Sequence, residues 1–434
     1  MRGSKLTAFL AAGLIAFSGA SQFSASKADF AAAADTQYKF EYQTVNNEVT
    51  ISKCTGNSDE LVIPSTLNGH NVTAIDDEAF ENLCNLTRLT IPSTVKTIGE
   101  KAFQGCSKLE KLTIPNSVVS IGNGAFLNCS SLKSVEIGTG LKSVGIYAFG
   151  ACPELSEITV STANQSFASE QNMLLSKDKK TLVQYAGSLS SAVMPSVESV
   201  SAGAFFGRTD IKTITIPSTV LKIGDYAFSG CLNLQVLTVP GNVLNLGIAC
   251  FMNCTGLESV EIKENSTAII PKQCFSMCSS LSELILTDSI QQINSEAFFA
   301  CPSLKEIHIP ASVNSIAKDA VGTYYDLRTS KNIAYSDVFI SGSDKSQAQS
   351  YAKSCGIKFV STDNVILGDA DLSGFVDASD ASFVLAEYSR TSTGAKPSFT
   401  YSQRIFGDYD KNGKIDASDA SLILAEYARK ATSK

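Results

Sequence analysis

Two segments near the C-terminus carry oxygen-bearing side chains at the same spacing. They run from Asp369 to Asp380 and from Asp408 to Asp419, so the second begins 39 residues after the first. Each has oxygen donors at loop positions 1, 3, 5, 9 and 12, a position 7 that can offer its carbonyl, and the glycine at position 6 that a sharp turn requires. Calcium takes roughly six to eight such oxygens. The predicted calcium ligands are Asp369, Asp371, Ser373, Phe375, Asp377 and Asp380 in the first loop, and Asp408, Asp410, Asn412, Lys414, Asp416 and Asp419 in the second.

A helix is expected to start directly from position 12 of each loop, over residues 381–390 and 420–429. Each loop brings four aspartates together, and their repulsion without a cation predicts that metal binding is coupled to folding. Apolar contacts between the two helices are predicted from Phe383, Val384, Tyr388, Leu422, Ile423 and Tyr427.

These loops depart from the EF-hand because aspartate replaces glutamate at position 12 and no amphipathic helix leads into the first loop. With their near-identical exiting runs, 376–390 and 415–429, they resemble a type I dockerin of the cellulosomes of anaerobic fibre-degrading bacteria. The resemblance covers residues 368–434. It implies a small all-α module with two EF-hand-like loops, two calcium ions and the cohesin module of a scaffoldin as partner.

The dockerin resemblance also implies which residues contact cohesin: loop positions 10 and 11 and the exposed side of each helix. Because the two halves match, either could dock. Calcium buffering without a partner is the alternative. The implied contacts are Ala378, Ser379, Leu385, Ala386 and Arg390 in the first half, and Ala417, Ser418, Leu424, Ala425 and Arg429 in the second.

Most of the preceding chain repeats one phrase, Ala-Phe-x-x-Cys-x-x-Leu-x-x-Leu-x-Ile-Pro-x-x-Val-x-x-Ile-Gly. Such a fixed period predicts a solenoid, in which stacked coils share one core. The phenylalanines that anchor it are spaced by 23, 23, 23, 56, 23, 23, 24 and 23 residues: Phe80, Phe103, Phe126, Phe149, Phe205, Phe228, Phe251, Phe275 and Phe298.

One coil illustrates the expected packing. Leu109, Leu112 and Ile114 should point inward from a short strand whose alternate residues face out, and Pro115 should end that strand. The phrase resembles the leucine-rich repeats of BspA-like bacterial surface proteins. The resemblance implies a β-rich, right-handed leucine-rich-repeat solenoid of about 23 residues per coil over residues 35–360, followed by a linker over 361–367.

Two parts of the array depart from the phrase. The 56-residue gap contains 173–183, two apolar segments around a charged turn, which indicate either an inserted hairpin or a longer coil of the same kind. Residues 338–340, 347–354 and 357–360 are expected to form a closing cap.

Seven of the twelve cysteines lie three residues after an anchor phenylalanine. Stacked coils would align them in a ladder, which Arg208 interrupts. We expect reduced, structural thiols, since buried cysteine behaves as a small apolar residue; disulfides between neighbouring coils are the alternative. The ladder residues are Cys106, Cys129, Cys152, Cys231, Cys254, Cys278 and Cys301.

Two rows of residues should face outward from the strands, and we call them together the strand face. Such a face is the usual binding surface of a solenoid, although simple solvation is the alternative. The first row is Thr90, Thr113, Glu136, Thr159, Thr215, Thr238, Glu261, Ile285 and His308; the second is Arg88, Lys111, Ser134, Glu157, Thr213, Val236, Ser259, Glu283 and Glu306.

The sequence offers little for catalysis. His70 and His308 are the only histidines, both are expected at the surface, and no nucleophile elbow accompanies either. No segment outside the repeats is large enough for a sugar-cleaving domain, so we predict no enzyme activity. A carbohydrate-active or protease-regulating subunit, acting in plant polysaccharide degradation, is the alternative.

Residues 1–34 indicate an export signal and the mature N-terminus, with cleavage after Ala20, Ala28 or Ala34. The protein is therefore expected to be secreted, without a membrane span, and associated with the cell surface through cellulosome assembly. A net charge of −7 argues against nucleic-acid binding. The repeats are expected to bind a protein or a polysaccharide, and the lack of tryptophan disfavours the latter.

Overall fold

The computed structural model describes residues 29–32, 38–187 and 190–432. The export signal predicted at residues 1–34 lies outside these ranges except for residues 29–32, whose backbone forms a strand. Among the helices of the described ranges, none combines the length and the hydropathy that a bilayer span requires.

The array opens with strands that build its first edge. β1, β2 and β3 pair antiparallel, and β3 then pairs in parallel with β6, the first strand of a stacked row. In chain order these strands are β1 (Asp29–Ala32), β2 (Lys39–Val45), β3 (Glu48–Thr55), β4 (Glu60–Val62), β5 (Thr66–Leu67) and β6 (His70–Ile75).

Short strands then recur with the period of the sequence. Most coils contribute a strand of three or four residues and a second strand of two. The strands up to the end of the repeats are β7 (Arg88–Thr90), β8 (Thr97–Ile98), β9 (Lys111–Ile114), β10 (Ser120–Ile121), β11 (Ser134–Ile137), β12 (Ser143–Val144), β13 (Glu157–Val160), β14 (Phe167–Glu170), β15 (Met173–Ser176), β16 (Thr181–Gln184), β17 (Ser191–Val193), β18 (Ser199–Val200), β19 (Thr213–Thr215), β20 (Lys222–Ile223), β21 (Val236–Val239), β22 (Asn245–Leu246), β23 (Ser259–Ile262), β24 (Ile269–Ile270), β25 (Glu283–Ile285), β26 (Gln292–Ile293), β27 (Glu306–His308) and β28 (Ser315–Ile316).

Successive coils pair in parallel along both rows of strands, and each row is divided into several sheets. In the first row Lys111 aligns with Ser134 and Ser134 with Glu157; in the second row Thr97 aligns with Ser120. This is the expected solenoid, since each coil covers the apolar edge of the previous one.

The interior of a coil follows the predicted alternation. Leu112 and Ile114 of β9 are buried, whereas Lys111 and Thr113 between them are exposed. Ala125 and Phe126 lie in the turn between β10 and β11. Neighbouring anchor rings stack nearly parallel, as between Phe103 and Phe126 with centroids 5.2 Å apart, close to the ~4.8 Å spacing of paired strands.

All twelve cysteines lie within the described ranges and are free thiols. The seven ladder residues are buried, as predicted. Cys250 and Cys274, one position before their anchor rings, bring their sulfur atoms to 3.4 Å. The ladder is therefore part of the core.

The insertion in the array is a hairpin. β14, β15 and β16 pair antiparallel in that order, and β16 then pairs in parallel with β18. The last strand of the hairpin thus begins a new sheet of the second row, which continues from β16 through β18 and β20 to β22.

Arg208, in the coil that follows this insertion, makes several buried hydrogen bonds. Its guanidinium is buried and bonds Asp210 at 2.7 and 2.8 Å. It also donates to the main-chain carbonyls of Leu155, at 2.9 Å, of Tyr185, at 3.4 Å, and of Gly187. The residue that interrupts the cysteine ladder therefore joins the inserted segment to the coils on both sides.

The chain ends in a cap and a helical module. In the cap, Tyr351 donates its hydroxyl to the carbonyl of Val321 at 3.0 Å, which ties the first helix to the last repeat. The remaining elements are β29 (Thr323–Asp326), β30 (Lys331–Ala334), β31 (Phe339–Gly342), α1 (Gln347–Cys355), β32 (Lys358–Ser361), α2 (Ala378–Ser392), α3 (Tyr401–Gly407) and α4 (Ala417–Thr432).

The helices that leave the acidic loops begin earlier than predicted. α2 starts at Ala378 and α4 at Ala417, so position 12 lies inside the first turn. In α2, Asp377 is the N-cap and Asp380 completes a capping box. An aspartate three residues after an acidic cap is a helix-start signal. The helix therefore begins at position 10 of the loop, and position 12 serves both the loop and the first helical turn.

The core of the helical module is smaller than predicted. Val384 and Ile423 are buried between α2 and α4, whereas Tyr388, Leu422 and Tyr427 are about two-fifths exposed. Phe383 is also partly exposed, and its ring stacks on Phe399 at 4.9 Å. Alanines make up much of the core instead: Ala370, Ala381 and Ala420.

Candidate functional site

Each acidic loop gathers three carboxylates. In the first, Asp369, Asp371 and Asp380 place oxygens within 4.8 Å of one another; in the second, the equivalent group is Asp408, Asp410 and Asp419. These are positions 1, 3 and 12, which the sequence assigned as ligands. Oxygen-only groups of this kind match the preference of calcium.

Main-chain amides hold these carboxylates in place. Asp369 accepts from the N–H groups of Ser373 and Gly374, both at 2.9 Å. Asp380 accepts from the N–H of Asp371 at 3.1 Å and of Asp377 at 2.9 Å. Position 12 therefore clamps the two ends of the loop together, and Asp419 does the same in the second loop.

The position-6 glycines have the backbone conformation that the loop requires. Gly374 has φ +92° and Gly413 has φ +81°, a left-handed region that side chains disfavour. The chain therefore turns back over position 1 in both loops, as the sequence predicted.

The environment of these carboxylates fits a cation. Asp369, Asp380 and Asp419 are buried, and burial raises the pKa of each above the ordinary aspartate value, with nearby aspartates raising it further. Burying crowded negative charge is costly unless it is paired. A divalent ion at each group would remove that cost.

The other predicted ligands lie around these groups. The hydroxyl of Ser373 lies 3.4 Å from an Asp369 oxygen and 3.3 Å from the carbonyl of Phe375, so positions 5 and 7 share the side of position 1. Asp377 accepts from the N–H of Ser379 at 2.7 Å, and Asp416 accepts from Ser418 at 2.7 Å. Position 9 is thus a helix cap as well as a predicted ligand. In the second loop, the main-chain N–H of Lys414 donates to the side-chain oxygen of Asn412 at 2.8 Å.

The residues that the dockerin resemblance implies as cohesin contacts all have exposed side chains. They form two matching faces, one along each loop helix, and we call them the α2 face and the α4 face. The α2 face is Ala378, Ser379, Leu385, Ala386 and Arg390, and the α4 face is Ala417, Ser418, Leu424, Ala425 and Arg429.

A third helix of the module was not predicted. α3 is short and carries a complete capping box between Thr400 and Gln403. The pattern Thr-x-x-Gln after Pro397 is visible in the sequence and is a known helix start. α3 ends at Gly407 and its C-cap is Asp408, so the helix leads directly into the second acidic loop.

α3 packs against the strand face of the array. Ser402 donates its backbone N–H to both carboxylate oxygens of Glu306, at 2.9 and 3.2 Å. The ring of Tyr401 stacks on His308 with centroids 4.0 Å apart. The expectation that Glu306 and His308 face solvent is therefore wrong: Glu306 is 7% exposed and His308 is half-buried. A sequence pattern shows which way a strand residue points, but not whether another part of the chain covers it.

Elsewhere the strand face is as predicted. Lys111 and Thr113 of β9, Glu157 of β13 and Thr238 of β21 are exposed along one side of the stack. From β7 to β25 the face is therefore mainly polar, with Val236 and Ile285 as its exposed apolar members.

A family model for the BspA type leucine rich repeat region matches residues 52–173 and 198–327 in six copies, together more than half of the chain. The chain belongs to the BspA-type leucine-rich repeat family. The matched BspA-type repeats end before the helical module, so residues 368–434 lie outside the family match.

Several solved structures resemble the chain. A leucine-rich repeat protein from Eubacterium ventriosum is 23% identical, with a TM-score of 0.49, over 66% of this chain and 92% of that one. A leucine rich cell surface protein from Faecalibacterium prausnitzii is 24% identical, with a TM-score of 0.38, over 70% and 97%. The pneumococcal vaccine antigen PcpA is 17% identical, with a TM-score of 0.42, over 77% and 98%. No curated protein matches the chain.

Proposed function

We propose that this chain is a secreted, non-catalytic recognition subunit. Its BspA-type repeats present the strand face to a ligand, and its C-terminal module is a type I dockerin that binds two calcium ions and docks to the cohesin module of a scaffoldin. Such docking would attach the repeats to a multi-enzyme complex that degrades plant fibre.

The calcium part is carried by one observation: two loops of the same spacing each hold three carboxylates within 4.8 Å. Asp380 and Asp419 are fully buried, so each loop has a carboxylate that water cannot solvate. A bound calcium ion would neutralise the group, and its binding energy would stabilise the module.

The docking part is supported by the equivalence of the two halves. The α2 face and the α4 face consist of the same kinds of residues, with Leu385 matching Leu424 and Arg390 matching Arg429, and all of them are exposed. Small alanine and serine residues beside a leucine form a flat, partly apolar patch at which a protein partner can pack.

For the repeats we propose a protein ligand ahead of a polysaccharide. The strand face carries threonine and charged residues, and the chain has no tryptophan on which sugar rings could stack. A family of leucine-rich repeats also suits protein recognition, because solenoids bind along extended faces.

Calcium titration of the full-length chain, followed by isothermal calorimetry, tests the calcium part. We expect two ions per chain, one after Asp380→Asn, and none after Asp380→Asn with Asp419→Asn. Asp59→Asn, which removes the same charge from an exposed turn of the array, is the matched control and should keep two. Absence of calcium uptake by the unaltered chain would overturn the proposal.

Two further measurements test docking and recognition. Immobilised type I cohesins should capture the full-length chain in calcium and release it in chelator; capture that ignores the chelator would contradict the mechanism. Incubation with insoluble cellulose or xylan should release no reducing sugar. Its release by pure protein would favour the carbohydrate-active alternative.

A further inference from the structure

The contact between the helical module and the array is built around one carboxylate. Glu306 lies on the strand face and is 7% exposed, and Ser402 on α3 is fully buried. Besides its N–H bonds, Ser402 donates its hydroxyl to Glu306 at 2.5 Å, and Ser341 of the neighbouring strand donates to the same oxygen at 2.5 Å. The carboxylate is thus covered, and its hydrogen-bonding capacity is used from both sides.

A covered carboxylate requires this degree of pairing. Removing a carboxylate from water is expensive unless hydrogen bonds replace those of the solvent. Here the replacing donors come from both parts of the chain, Ser341 from the array and Ser402 from the module. These hydrogen bonds therefore favour one defined position and orientation of α3 on the array over a loose apolar contact.

Acidic side chains of the array near Glu306 face basic side chains of the module. On the array, Glu258 and Glu283 lie on the two coils before Glu306. On the module, Lys396 pairs with Glu258, and Arg404 approaches Glu283 at 3.8 Å. Because these pairs are partly exposed, each contributes little energy. Together they fix which way α3 lies along the strand face.

This position of α3 leaves the α2 face and the α4 face of the module accessible. The contact uses α3 and the segment before it, whereas the α2 face and the α4 face lie on other helices and remain exposed. The module therefore packs on the array through α3, and the α2 and α4 faces stay accessible to a partner.

We propose that the strand face from Ser259 to His308, together with the adjacent Glu258, is a docking surface for the chain's own helical module. The docked module withdraws the last coils from external ligands, leaves the strand face from β7 to β21 as the free recognition surface, and holds the α2 and α4 faces away from the array. This proposal does not depend on whether the module binds calcium or cohesin, so it is independent of the proposed function.

Hydrogen–deuterium exchange of the full-length chain tests this docking. Ser402→Asp places a second carboxylate against Glu306, which should expel α3, while an aspartate in the first turn of a helix favours the helix itself. We expect peptides covering 400–407 and 305–309 to exchange about tenfold faster or more, given the strength of hydrogen bonds to charged groups.

Two variants complete the design. Adding Glu306→Gln to Ser402→Asp should restore much of the protection, because the amide can donate to the new carboxylate. Ser382→Asp, which adds the same charge at an exposed position of α2, should leave both peptides unchanged. Equal exchange in the unaltered chain and in Ser402→Asp would overturn the proposal.

Calcium stoichiometry measured on the same samples separates the two proposals. Two ions in both the unaltered chain and Ser402→Asp, with faster exchange only in the variant, support docking and the calcium site together. Faster exchange in the variant without any calcium uptake supports docking but contradicts the calcium site.

Discussion

The thiol of Cys254 donates a hydrogen bond to the main-chain carbonyl of Phe228, which lies 3.2 Å away in the preceding coil. Every ladder cysteine makes the same contact with the anchor phenylalanine of an earlier coil, so the ladder links coils as well as filling space. The other pairs are Cys106 with Phe80, Cys129 with Phe103, Cys152 with Phe126, Cys231 with Phe205, Cys278 with Phe251 and Cys301 with Phe275.

Replacing one ladder thiol should weaken the array measurably. Cys254→Ala removes a buried sulfur and the hydrogen bond to Phe228, and we expect a loss of about 1–2 kcal/mol in the free energy of unfolding. Urea denaturation followed by circular dichroism measures the shift. Cys84→Ala is the matched control, because Cys84 is exposed and its removal should change the midpoint little.

The array should lose stability in alkali. Burial raises the pKa of the Cys106, Cys152 and Cys301 thiols from the ordinary value of 9.0 to about 12. Between these values the unfolded chain has released thiol protons that the folded chain retains, so stability is complete below pH 9 and falls as pH rises toward 12. The urea midpoint measured from pH 8 to pH 11 should decrease steadily. A midpoint that stays constant would contradict buried, protonated thiols.

Arg208 should be needed for the stability of the insertion. Arg208→Met keeps most of the apolar bulk but removes the guanidinium hydrogen bonds to the carbonyls of Leu155, Tyr185 and Gly187. It also leaves Asp210 without its cation. We expect a loss of about 3 kcal/mol, with faster hydrogen exchange in residues 167–187. Arg328→Ala, which removes a guanidinium that is 85% exposed, should cost far less. Equal losses in the two variants would show that the buried contacts contribute nothing.

The equivalence of the two loop helices predicts redundancy in docking. Changing Ser379 and Leu385 to aspartate should leave most of the affinity for cohesin, because the α4 face remains; adding the same changes at Ser418 and Leu424 should abolish binding. Calorimetry with a cohesin that captures the unaltered chain measures both. A large loss from the α2 face alone would exclude docking by either half.

The repeating residues made the array predictable. A period of 23 residues places Leu112, Val135 and Ile158 at the same point of successive coils, and stacking in this register buries all three. The clustering of carboxylates in the loops was predictable for a similar reason, because twelve consecutive residues and one glycine fix the geometry locally. Helix starts at Ala378 and Ala417 were missed, although the capping aspartates that set them were visible.

The sequence by itself determined the coils, the ladder and the three-carboxylate groups, since each depends on neighbours in the chain or on the repeat period. Only the tertiary structure decided that Ser402 covers Glu306 and that Arg208 joins segments more than 50 residues apart. Such contacts depend on where separately folded parts meet. That meeting is governed by shape and charge complementarity between surfaces, which a local pattern of residues does not contain.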